Sequence, residues 1–293
     1  MESKVPMALV VIGGPMKTGT SALAAALTQL SRVGGLPKGF SYPVDRYWLP
    51  RFRDQKIVKH HAIGDYLEPR MHETLNYLFK EWGESITPEN THEGLHRVIT
   101  TWEGMARALC RSPHRAKSLI AALEEIFVTV EVVFIRRDSD PALRSLAQQL
   151  LRGPRAASHL ADIDFRRGTI RPDSQLALPY DEKTLAQAIS NAGICESTFF
   201  IEFSELTKRE LSLLLNLFDL FQAPEFEVTA SRMGSEEIHT SFGRGIFNLL
   251  FIAAWFQRLL GDSDWTNRMR LSFVDWLVKV RARKARARRY TTW

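Results

Sequence analysis

Lys17-Thr18-Gly19-Thr20-Ser21 is the stretch of this chain best equipped to hold a phosphate. The lysine supplies charge, the threonines and serine supply hydroxyl donors, and the glycine lets the backbone approach an anion with no Cβ in the way. Just before it, Gly13, Gly14 and Pro15 end an apolar run; just after it, Leu23, Leu27 and Leu30 recur at i, i+4 and i+7. A strand, a turn and a helix start in that order aim unpaired amide N–H groups and the positive end of a helix dipole at one point. Other reactive side chains stand at the ends of later apolar runs. His60-His61 follows residues 56–59, Glu103 follows 97–102, and Arg136-Arg137 follows 128–135. Two arginines at a strand end attract a second phosphate and repel a metal ion. A kinase or ATPase normally places a magnesium-holding Asp there.

The elements that position these groups follow from hydrophobic period and punctuation. Residues 8–12, 56–59, 97–102, 128–135 and 198–203 read as strands, and 67–82, 113–126, 141–151, 181–192 and 205–221 as helices. Ser112 before Pro113 and Asp140 before Pro141 are the expected helix caps. Residues 84–94 read as a surface loop, 153–179 as a long loop or lid, and the remainder as helical with a turn at Gly261-Asp262-Ser263. Strands alternating with helices predict an α/β fold, a parallel sheet in three layers with helices on both faces. Such sheets bind ligands at the carboxyl ends of their strands, which puts Lys17, His60, His61, Glu103, Arg136 and Arg137 along one edge.

The order of the first loop departs from the Walker pattern, in which Lys follows the last Gly. With lysine two residues before the glycine, Lys17-Thr18-Gly19-Thr20-Ser21-Ala22-Leu23 resembles the 5′-phosphosulfate loop of the PAPS-dependent sulfotransferases, bacterial type. That resemblance implies a P-loop-NTPase-like fold, with PAPS as co-substrate, bound by Lys17, Thr18, Gly19, Thr20 and Ser21, and no metal. Phe134 to Ser145 resembles the family's 3′-phosphate motif, which implies that Arg137 and Ser145 hold that phosphate. The family Trp after the Asp is absent, and so is the late R-K-G-x-x-G pattern, so nothing is carried onto 232–242. Sulfuryl transfer needs positive charge on the leaving phosphate, which Lys17 supplies, and a base for the acceptor. Lys59-His60-His61 resembles the K-x-H and H-H patterns of the family, and Thr100-Thr101-Trp102-Glu103-Gly104 resembles its S-S-E-G segment. His61, His60 and Glu103 are therefore all candidates for that base.

The resemblance implies transfer of a sulfuryl group to a hydroxyl or amine of a carbohydrate, lipid or small-molecule acceptor. Tyr42, Tyr47 and Trp48 are candidates to line the acceptor pocket, with core packing as their other reading. Two alternatives are a P-loop kinase or NTPase using Mg-ATP, and a non-catalytic relative that binds polyanions. The 293 residues suit a single domain, with a core over 7–221 and a helical extension over 243–293. Two cysteines make neither a disulfide framework nor a metal cluster, and no leader is expected before the first strand, so the expected setting is cytoplasmic. The net charge of +6 gathers in the tail at 281–290, which has six basic residues among its first nine. Contact of that tail with an anionic membrane or polyanion is the expected partnership. Trp255, Trp265 and Trp276 lie in the same region, and no specific nucleic acid is implied.

Overall fold

The computed structural model describes residues 6–15, 17–44, 57–85, 91–92, 94–203, 209–223, 244–261 and 263–290. The order of elements is β1 (Met7–Gly13), α1 (Thr20–Arg32), β2 (Phe40–Ser41), α2 (Pro69–Ser85), β3 (His96–Thr101), α3 (Met105–Arg111) and α4 (Pro113–Glu124). There follow β4 (Thr129–Arg136), α5 (Ser139–Arg152), β5 (Ile163–Asp164), β6 (Thr169–Ile170), α6 (Glu182–Ala192), β7 (Thr198–Glu202), α7 (Arg209–Leu220), α8 (Arg244–Leu260) and α9 (Asp264–Tyr290). The chain forms two compact units, one of residues 1–138 with 178–238 and the other of residues 139–177 with 239–293.

The first unit holds a five-stranded sheet in the order β2-β3-β1-β4-β7, parallel throughout. Every residue of β1 is buried. Side chains alternate across a strand, so burial of all seven means that both faces of the sheet are covered. Leu23 and Leu27 of α1 are fully buried, in the same core as Val10 and Ile12 of β1 and Leu213 and Leu217 of α7. Each such leucine contributes about 1.5–3 kcal/mol of burial. In register, Ile12 pairs with Thr101 of β3 and Gly13 with Phe134 of β4. Neighbouring strands lie about 4.8 Å apart, so the loops leaving β1, β3 and β4 emerge side by side.

Several expectations change. Residues 57–60 form no strand; the fifth strand is β2, whose Phe40 and Ser41 take the edge beside Arg97 and Val98 of β3. A short helix, α3, fills 105–111 where none was expected, and α5 begins at Ser139, so Asp140 lies in its first turn rather than capping it. Ser112 stands at the start of α4 without a side-chain cap hydrogen bond. Asp181 does cap α6, accepting from the Thr184 amide at 2.8 Å.

The second unit contains most of the segment expected to be a long loop or lid. Instead, a 3-10 helix (Ala156–Asp162) and the β5–β6 hairpin bury Ala156, Ala157, Leu160, Ile163 and Ile170. Arg270 of α9 is 4% exposed and donates to the carbonyls of Leu151, at 2.9 Å, and Gly153, at 2.5 Å. A buried guanidinium bonded to two chain carbonyls ties the end of α5 to α9.

Candidate active site

The loop after β1 is shaped by its own backbone. Lys17 adopts a left-handed conformation (φ 69°), and Gly19 does the same at the head of α1 (φ 102°). A Cβ on Gly19 would lie 2.7 Å from a ring carbon of Phe203, so glycine is required there both by conformation and by space. Thr18 is buried and donates from Oγ1 to the Pro15 carbonyl at 2.7 Å, which closes the turn. Its hydroxyl is therefore spent on the loop, leaving its amide as the group it can offer a ligand.

Thr20 is different. It is 1% exposed, and its Oγ1 has no hydrogen-bond partner among the described residues. A buried hydroxyl left unmatched costs about 1–3 kcal/mol. It stands at the first position of α1, a helix with no side-chain cap and no acidic residue in its first turn. An orphaned donor, open amides and a positive dipole end together fit an anion. A bound 5′-phosphate would be held by Thr20, Lys17 and these amides.

Arg137 braces this loop. Its Nη1 donates to the Lys17 carbonyl at 2.8 Å, and its guanidinium lies 4.7 Å from the centre of the Phe203 ring. Arg136 stacks on Phe200 at 3.8 Å and faces Glu202 at 4.0 Å, with nearly half of its side chain exposed. The two adjacent arginines thus divide, one supporting the phosphate loop and the other lying along the sheet edge. Ser145, the other expected 3′-phosphate residue, lies on α5 in the second unit.

Lys59 joins the phosphate loop to the end of β3. Its Nζ donates to Ser21 Oγ at 2.6 Å and to Glu103 Oε2 at 3.0 Å. The Ser21 hydroxyl, expected to face the ligand, is engaged by this lysine. Burial opposes charge on Glu103, but Lys59, through charge and hydrogen bond, and then His61 and Lys17 hold its carboxyl below the ordinary range. Glu103 is therefore a fixed carboxylate near neutral pH. The sequence had marked Lys59 only as part of a pattern; its alternation with His61 was the available signal.

The two histidines separate completely. His60 is fully buried. Its Nδ1 accepts from the Thr101 amide at 3.1 Å, and its Nε2 lies 2.9 Å from the Pro43 carbonyl, which fixes the tautomer with the proton on Nε2. Burial, opposed by the Pro43 bond and helped by His61, pushes its pKa down to about 3. With both nitrogens occupied, His60 is a structural pin and leaves the list of candidate bases. The Tyr42 ring packs edge-to-face with it, ring centres 4.8 Å apart. Tyr42 itself is 1% exposed and bonds the Val58 carbonyl at 2.7 Å and Thr101 Oγ1 at 2.9 Å, so it belongs to the core rather than to an acceptor pocket. Tyr47 and Trp48, the other pocket candidates, lie outside the described residues, as does 232–242.

His61 starts the 3-10 turn His61–Asp65 and is exposed. Burial of part of its ring and the Lys59 charge lower its pKa, against the pull of Glu103 and Asp65. Its imidazole is therefore neutral near pH 7. Trp102 seats this turn: a Cβ on Gly64 would lie 2.5 Å from its indole. The same tryptophan's amide donates to the Ile12 carbonyl at 2.8 Å, tying the turn to the end of β1. Tyr180, unmarked by the sequence, feels both Glu103 and Arg137. Burial, reinforced by the Glu103 carboxylate and opposed by Arg137, holds its phenol protonated well above the ordinary value.

Lys17, Arg137, Lys59, Glu103, His61 and Tyr180 thus share one neighbourhood at the carboxyl ends of β1, β3 and β4. The chain is similar in structure to two sulfotransferase domains. One is from the curacin biosynthetic pathway, 15% identical over 76% of this chain and 76% of that one, with a TM-score of 0.37. The other is from the Synechococcus PCC 7002 olefin synthase, 10% identical over 85% of this chain and 89% of that one, also with a TM-score of 0.37. No family model and no curated protein matches the chain.

Proposed function

We propose that this protein is a sulfotransferase that moves a sulfuryl group from PAPS to a hydroxyl or amine of an acceptor. The observation that carries the reading is the pairing of an anion cradle with a neutral base. Thr20 Oγ1 is buried without a partner among the described residues at the head of α1, and His61 lies within the influence of Lys59 and Glu103 beside it. The resemblance of residues 17–23 to a 5′-phosphosulfate loop supports PAPS as the cradle's ligand.

Bound in that cradle, the phosphosulfate anhydride would supply an activated sulfuryl group. Lys17 and the α1 amides stabilise negative charge on the departing phosphate. Arg137 holds the Lys17 carbonyl and so fixes the loop in its binding shape. His61 takes the proton from the acceptor, because it is neutral at working pH and exposed to an incoming hydroxyl or amine. Glu103 is the weaker base, already ionised and committed to Lys59. It instead orients Lys59 and favours a proton arriving on His61.

The arginines at the end of β4 favour this reading over a kinase, since a magnesium-holding carboxylate is expected where they stand. Calorimetric titration with adenosine 3′,5′-bisphosphate against ATP, each with and without magnesium, tests it. Metal-independent preference for the bisphosphate is expected. Preference for Mg-ATP would replace the reading with a kinase, and binding of neither would leave a non-catalytic relative.

A further inference from the structure

α8 is apolar on two opposite sides. Phe247, Leu250 and Ala254 are buried in its own unit, as the inner face of an amphipathic helix should be. The other face should then be polar. Instead Leu249, Ile252, Trp255, Phe256, Leu259 and Leu260 are 44–68% exposed. At 100° per residue these six fall in one continuous stripe opposite the buried row. α9 adds Trp265, Met269 and Trp276, each more than half exposed and spaced at i, i+4 and i+11 on one side of the helix.

Positive charge borders this apolar surface. The β5–β6 hairpin rests on α8 through Phe165, whose ring lies 4.7 Å from Phe251 and 6.5 Å from Phe247. That places the exposed Arg166 and Arg167 of the hairpin tip at the edge of α8. Along α9 the sequence carries nine Lys and Arg residues, of which Arg270 is buried, against Asp264 and Asp275, a net +7 where the whole chain has +6. No helix among the described residues is long and apolar enough to cross a membrane.

We propose that the α8–α9 face docks on the surface of an anionic lipid bilayer. Only a bilayer offers an apolar layer for Trp255, Phe256 and Leu260 directly beneath a sheet of negative charge for the arginines. A nucleic acid would match the charge and leave the apolar stripe in water. A second copy would cover the stripe but bring two strongly basic helices together. The proposal is independent of the transfer chemistry, because none of the residues it uses is among those assigned to the phosphate loop, the base or the 3′-phosphate.

The test is co-sedimentation of the full chain with vesicles of phosphatidylcholine alone and of phosphatidylcholine mixed with phosphatidylglycerol. Binding is expected to the mixed vesicles and to weaken with salt. Each basic residue at such a surface gives roughly a fivefold gain, so Arg166→Gln with Arg167→Gln should weaken binding about 25-fold. Trp255→Ser with Phe256→Ser should weaken it by about tenfold or more; both sites are exposed, and circular dichroism checks the fold. Equal binding to both vesicle types, or none to either, overturns the proposal. So does full binding by the Trp255→Ser, Phe256→Ser variant, which would leave a charge-only polyanion site. Sedimentation velocity of the lipid-free chain tests the second copy as occupant: a dimer lost in that variant assigns the face to it and overturns the proposal.

Discussion

Replacing Thr20 by valine separates folding from binding at the cradle. The side chains are nearly the same shape, and Gly19 rather than Thr20 stands at the helix cap. In the free protein the hydroxyl is buried without a partner among the described residues, so its removal should stabilise the fold by about 1–3 kcal/mol, the cost of an unmatched buried donor. With ligand the sign reverses. A hydrogen bond from the hydroxyl to a charged phosphate oxygen is worth about 1.5–3 kcal/mol, and its loss should raise the Kd for adenosine 3′,5′-bisphosphate roughly 10- to 150-fold. Urea denaturation with and without the bisphosphate reads both effects, since ligand stabilisation shrinks as Kd rises, and calorimetry reads Kd directly. Thr20→Val destabilising the free protein by about 1 kcal/mol or more would mean that the hydroxyl has a partner. An unchanged Kd would mean that no anion reaches it. Either result refutes the argument.

Gly19→Ala should cost about 2–4 kcal/mol in denaturation, from a left-handed residue and a clash with the Phe203 ring; a negligible loss would show that Phe203 yields. His60 binds its proton far less readily folded than unfolded. Stability should therefore fall as pH drops from about 6.5 towards about 3, by about 1.4 kcal/mol per unit from this group. His60→Asn should flatten that slope in acid denaturation, and an unaltered slope would contradict the burial argument. His61→Ala should lower turnover about 10²–10⁴-fold and leave bisphosphate affinity unchanged. In Glu103→Gln the acid limb of the rate profile should move to lower pH, because that carboxylate raises the His61 pKa; a shift to higher pH would favour Glu103 as the base.

Much of this protein was legible locally. β1, β3, β4 and β7 are apolar runs bounded by turn residues, and α1 shows its buried leucines at helical spacing, so period alone marked them. The phosphate loop was legible because glycine, lysine and hydroxyl residues fall between a strand and a helix. Local pattern failed where the partner was distant. Residues 56–59 look like a strand, yet 57–60 form none and Phe40 and Ser41 occupy the sheet edge. Their own polar groups are met elsewhere: the Val58 amide donates to Thr28 Oγ1 at 3.0 Å, and the His60 amide to the Thr101 carbonyl at 2.8 Å. The segment 153–179 has no period because its core comes from short turns rather than from a repeating face.

The order of residues marks His61 and Arg137 by pattern alone, through the K-x-H spacing after Lys59 and the spacing from Arg137 to Ser145. The tertiary structure decided what each histidine and each arginine does. Burial and two long-range hydrogen bonds remove His60 from chemistry, while its neighbour opens to solvent beside Lys59 and Glu103. The Lys17 carbonyl, 120 positions away, claims Arg137 and leaves Arg136 at the edge. Sequence determined which residue types stand at the strand ends, since period and punctuation are local. Their protonation, partners and roles depend on dielectric and distance, which exist only once remote segments are brought together.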